Sequence, residues 1–137
     1  MTLLIKLSLM VVLVFGSSCA TAQMKWEAWG VNQELKFGEI LVLPTGLGSV
    51  QFSKLVKDHR CPIDAQCITQ GTVIVEFTYL NKEGASSEIQ LSLGDDQDLV
   101  HSFSEFSVEL KEVTPLPSSE KPVVPTEYRV TLLFSEY

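Results

Sequence analysis

Two histidines and three cysteines are the whole stock of imidazole and thiol in this 137-residue chain, which leaves little material for catalysis or metal binding. No G-x-S-x-G elbow and no H-E-x-x-H helix occurs, so neither a hydrolase nucleophile turn nor a zinc-protease helix is signalled. Positive charge is also scarce: 10 Lys and Arg stand against 17 Asp and Glu, a formal net charge of −7. A surface of that sign repels phosphate backbones and anionic lipid, which argues against nucleic-acid and peripheral-membrane roles. Long apolar runs are missing as well. The most apolar stretch, residues 3–15, falls short of the roughly 20 residues a membrane-crossing helix needs. No motif implies a cofactor.

What is present begins with an export signal over residues 1–22. Lys6 and the amino terminus supply positive charge, an apolar segment follows, and residues 16–22 are all small, which is the layout of a secretory signal. Two processing routes lead from it. Ala20-Thr21-Ala22 before Gln23 is an A-x-A cleavage site that would release a soluble protein, and this route is preferred. Alternatively, Gly16-Ser17-Ser18-Cys19 resembles the lipobox of bacterial lipoproteins, with glycine where that motif prefers leucine. The resemblance implies a lipid on Cys19 and a signal ending at residue 18, and that lipid is the one membrane attachment expected. Residues 23–137 form the remainder, a normal size for one domain; without Lys6 its balance is 9 basic to 17 acidic residues, or −8.

Once Cys19 is removed or lipidated, Cys61 and Cys67 remain. An even pair in an oxidising compartment reads as a disulfide. Zinc would need four ligands at tight spacing, and besides these thiols the chain offers only His59 and His101 among His and Cys. A redox pair is normally C-x-x-C near a βαβ pattern, which is absent. The loop-entropy model assigns so short a closure about 2.4 kcal/mol, so its main effect is to fix a local shape, helped by Pro62.

The two-residue period of half-buried strands dominates the rest. Residues 34–43 end in Ile40-Leu41-Val42-Leu43; residues 50–56 lead into the cysteine loop. Residues 72–80 and 87–93 alternate cleanly about the turn Asn81-Lys82-Glu83-Gly84 and predict a hairpin. Residues 106–111 and 127–134 alternate again, while 96–106 can hold a short helical turn. Residues 115–125 are too rich in proline for a central strand. Six or seven short strands without a helical stripe predict an all-β, antiparallel sandwich or barrel-like domain with one short-range disulfide.

Residues 58–71, D-H-R-C-P-I-D-A-Q-C-I-T-Q-G, resemble a motif of small exported bacterial all-β proteins of unassigned function, approximately D-S-R-C-P-x-x-V-x-C-x-W-x-G. His59 replaces the usual serine, Ala65 the valine, and Thr69 the tryptophan. The resemblance implies an exported β-domain and no particular activity.

Candidate sites follow from residue chemistry. Arg60 beside Asp58 and Asp64 can order the loop through ion pairs or receive an acidic ligand; the loop bearing Arg60, Pro62 and Asp64 is the candidate partner-binding surface, because preorganisation lowers the ordering cost of binding. Asp95, Asp96 and Asp98 carry calcium-type oxygen ligands, but the EF-hand glycine and terminal glutamate are missing, so a solvated turn is preferred and no metal is expected. Trp26 and Trp29, three apart, would face opposite ways on a strand, which favours packing over a sugar platform. The resulting expectation is a non-enzymatic exported binding or envelope structural module, periplasmic or secreted, whose partner is an unknown protein or glycan of the envelope or exterior. The alternatives are a protease-inhibitor-like module presenting the Cys61 to Cys67 loop, and a hydrolase with an unrecognised site using His59 or His101.

Overall fold

The computed structural model describes residues 23–24, 26–95 and 97–137, with side chains from Trp26 onward. The expected export segment, Cys19 included, and Asp96 lie outside the described residues. The described residues fold as an all-β sandwich of nine strands: β1 (Gln23–Met24), β2 (Asn32–Lys36), β3 (Ile40–Val42), β4 (Ser49–Asp58), β5 (Thr72–Leu80), β6 (Ser86–Gly94), β7 (Val100–Ser102), β8 (Phe106–Thr114) and β9 (Arg129–Glu136). One sheet runs β1-β3-β4-β5-β6 and the other β2-β9-β8-β7. All neighbours are antiparallel except the two-residue β1, which lies parallel to β3. No described helix is long and apolar enough to cross a membrane.

Alternation builds the core. Val73, Val75 and Phe77 of β5 point inward beside Ile89 and Leu91 of β6, and they meet Phe106, Val108 and Leu110 of β8 with Val130, Leu132 and Phe134 of β9 from the other sheet. The register of β8 against β9 shifts between Leu110 and Glu112. That bulge absorbs one residue, so Val113 returns to the buried face instead of turning to solvent.

Two local expectations are corrected. Residues 34–43 are two strands in different sheets: β2 pairs with β9 and β3 with β4. The chain changes sheet at Gly38, whose φ of 82° is open to glycine at no steric cost. Residues 96–106 hold the edge strand β7 in place of a helical turn, and β7 pairs with β8 from Val100↔Glu109 to Ser102↔Ser107. All three β7 residues are exposed, so burial gives them no alternation to read.

Trp26 and Trp29 close one end of the core. Their rings meet edge to face at 5.1 Å, and Trp26 packs on Phe134 while Trp29 tilts over Phe106. Packing is thus their role, as expected, but they lie together because the segment bends at Trp29 and Gly30 rather than continuing as a strand.

Candidate disulfide-loop site

At the other end, β4, β6 and β8 finish and β5 and β9 begin, and the loop from β4 to β5 spans the gap between the sheets. Its two arms continue the ladder past the strands, with His59 N–H donating to Thr72 O at 2.8 Å and Cys61 N–H to Gln70 O at 2.8 Å. The Cys61–Cys67 disulfide closes the tip, with Cα atoms 5.8 Å apart. Protein disulfides persist in oxidising surroundings, so this bond points to a non-cytoplasmic environment.

Arg60 binds the loop to the opposite sheet. Its Nε and Nη2 donate to the two oxygens of Asp58 at 2.8 and 2.7 Å, Nη1 donates to Val113 O and Nη2 also to Pro115 O at 2.8 Å. The Tyr128 hydroxyl completes the set by donating to Asp58 Oδ2 at 2.8 Å. The Arg60 and Asp58 side chains are only 9% and 6% exposed, so the fork is committed to architecture. Burial alone would raise the Asp58 pKa, but the hydrogen bonds from Arg60 and Tyr128 outweigh it and hold the carboxyl below its ordinary value. Burial, reinforced by the bond to Asp58, pushes Tyr128 up to about 12.

Asp64 is also engaged. It accepts the Ser119 N–H at 2.9 Å, the Ser118 hydroxyl at 3.0 Å and the Glu120 N–H at 3.2 Å, while Ile63 N–H donates to Pro117 O at 3.0 Å. These bonds lash the proline-rich loop, which enters through a cis Thr114–Pro115 peptide, onto the disulfide loop. Donation from the Ser119 amide lowers the Asp64 pKa to about 2. Because the folded value is depressed, the stabilising contribution of this group is present above its ordinary 3.8 and is lost as pH falls through about 2. An NMR titration should therefore show the Asp64 carboxyl and the amides of residues 118–121 moving together with a midpoint near 2; a midpoint near 4 would mean the two loops are not joined.

No family model, curated protein or solved structure matches this chain. The local arrangement therefore has to speak for itself.

Of the sequence-predicted contact residues, Arg60 is taken up by Asp58 and the opposite sheet, Asp64 is exposed but bonded to residues 118–120, and Pro62 is half-buried, its carbonyl accepting the Ala65 N–H. Among the residues the loop exposes, which include His59, Asp64, Gln66, Thr69 and Gln70, two are large and apolar: Ile63 is 69% exposed and Ile68 fully so. Beside them runs a groove of about 730 Å³ lined by Ile63, Leu93, Val113, Pro115 and Leu116, with Gln70, Gln97 and Glu112 among its polar members. Sequence reasoning missed this groove, because its walls come from three segments distant along the chain.

The remaining candidates are dispersed. Asp95 accepts the Gly71 N–H at 2.8 Å and the Asp98 N–H donates to Ser92 Oγ at 2.9 Å, so both serve the β6 turn. Among the described residues no group of three His, Cys, Asp or Glu is placed to hold a metal ion. His59 and His101 are exposed on different segments, and the His101 ring stands edge-on to Phe103 at 4.7 Å.

Proposed function

We propose that this protein is an exported, non-catalytic binding module of the cell envelope or exterior, released at Gln23 or held by a lipid on Cys19, that captures its partner through the disulfide-loop end of the sandwich. The resemblance of residues 58–71 to small exported bacterial β-proteins is part of this reading. The observation that carries it is the pairing of exposed apolar side chains, Ile63 and Ile68, with a loop immobilised by the disulfide, the Arg60 fork and the Asp64 bonds. Exposing isoleucine on a mobile loop would cost binding affinity through ordering; on this frame most of that cost is already met in folding. A protease-inhibitor-like role is the second reading, favoured by the same exposed, covalently closed tip.

The test is retention of envelope or extracellular components by immobilised protein, compared with the doubly substituted Ile63→Asp, Ile68→Asp form. Both positions are exposed, so stability should change little, whereas capture should fall at least about tenfold, as for loss of a central apolar contact. Equal capture by both forms would remove the loop from the interface, and inhibition of a protease panel would select the second reading.

A further inference from the structure

The chemistry of the groove narrows the partner, an inference that rests on the binding reading above. We infer that the groove receives an extended polypeptide segment in which an apolar side chain is flanked by lysine or arginine. Its walls supply the apolar half of that match, Leu93 and Val113 at depth with Ile63 and Leu116 at the rim, and its volume falls within the range of sites that hold a few side chains.

Charge supplies the other half. Among the described residues, two ionisable side chains line the groove, Arg60 and Glu112. Arg60 is neutralised by its two-point pairing with Asp58, which leaves Glu112 as the uncompensated charge among the described lining residues, with Asp95 adjoining Gly94 at one end. Gln70, Gln97 and Glu112 make no side-chain hydrogen bond among the described residues. Each amide presents both a donor and an acceptor, as an extended backbone requires, and the carboxylate is left for a cation. A second copy of this chain, itself at −7, is opposed by the same electrostatics. A glycan fits less well, since no aromatic ring is among the groove's lining residues and the two tryptophans are used at the opposite end.

The test uses the oxidised protein purified from its native cells and a fluorescein-labelled nonapeptide carrying two leucines flanked by lysines, with a control peptide bearing glutamates in place of the lysines. Fluorescence anisotropy should show saturable binding of the lysine peptide that weakens with added salt, and weaker or absent binding of the control. Glu112→Gln should reduce affinity about 5-fold, the scale of one exposed ion pair, and Leu116→Asp at least about tenfold. Both residues are exposed, so both variants should fold. Equal binding of the two peptides, or lysine-peptide binding indifferent to both substitutions, would overturn the inference. If neither peptide binds while capture of native components still depends on Ile63 and Ile68, the inference falls and the binding reading stands; loss of both removes both.

Discussion

Arg60→Ala is expected to destabilise the protein by about 3 to 5 kcal/mol, the usual consequence of leaving one member of a buried ion pair without its partner. Two features set the size. The Asp58 carboxylate is nearly enclosed, so water cannot replace the lost fork, and the carbonyls of Val113 and Pro115 lose their donors at the same time. Tyr128→Phe removes a single hydroxyl bond to Asp58 and should cost only about 1 kcal/mol. Chemical denaturation of the three proteins at pH 7 measures both values. A loss under about 1 kcal/mol for Arg60→Ala would show that the fork is not what joins the sheets. The same network gives pH signatures of opposite sign. Asp58 has a depressed folded pKa, so its contribution is present above the ordinary carboxylate range and fades as pH falls through the folded value. Tyr128 has a raised one, so its contribution is full below 10 and is lost as pH rises through about 12. Arg60→Ala should flatten the acid limb.

The hairpin of β5 and β6 was readable because one face of each strand is buried, and a two-residue period is the direct imprint of that burial. The reading failed where alternation and strand identity part company. Through residues 34–43 the apolar pattern carries on while the chain crosses from one sheet to the other at Gly38; only the glycine betrayed the crossing. In β7 the reverse holds, since backbone pairing to β8 defines a strand whose residues are all exposed.

The site shows the same division. Asp58 and Arg60 stand two apart, and a loop-ordering ion pair of Arg60 with a nearby carboxylate was legible in the sequence, though not whether Asp58 or Asp64 would supply it. Tyr128, 70 positions from Asp58, and the carbonyls of Val113 and Pro115 could not be placed, because closing those distances depends on how two sheets stack. Asp64 looked like a contact residue but serves the turn at 118–120. Within residues 58–71, four positions have visible architectural work: Asp58 and Arg60 form the fork, Cys61 and Cys67 the staple. Exposed residues, Ile63, Ile68 and Thr69 included, lie among them. A frame of this kind can hold its shape while the side chains it displays change, and Thr69 is among the displayed ones.

Gly71 is a position whose necessity only the structure explains, and Gly71→Ala is expected to cost about 3 to 5 kcal/mol, in the range of substitutions that break a special backbone position. Its φ of 74° already penalises any side chain by about 1 to 2 kcal/mol. Beyond that, an added Cβ would collide with the His59 carbonyl oxygen and come within 2.8 Å of the His59 carbonyl carbon and 2.9 Å of Arg60 Cα. These are backbone atoms of the facing arm, and they cannot swing aside without opening the ladder that holds the disulfide loop. Gly84 provides the control. It sits in the β5–β6 turn with φ of 84°, and a methyl group added there would meet nothing within 4 Å, so Gly84→Ala carries the conformational penalty alone, about 1 to 2 kcal/mol. The difference between the two variants in denaturant unfolding therefore isolates the close approach of the two arms. Amide exchange should localise it, with His59 and Cys61, the donors across that ladder, losing protection in Gly71→Ala and keeping it in Gly84→Ala. Equal stability of the two variants would mean that the arms separate freely, and would remove the rigid presentation of Ile63 and Ile68 on which the proposed partner capture rests.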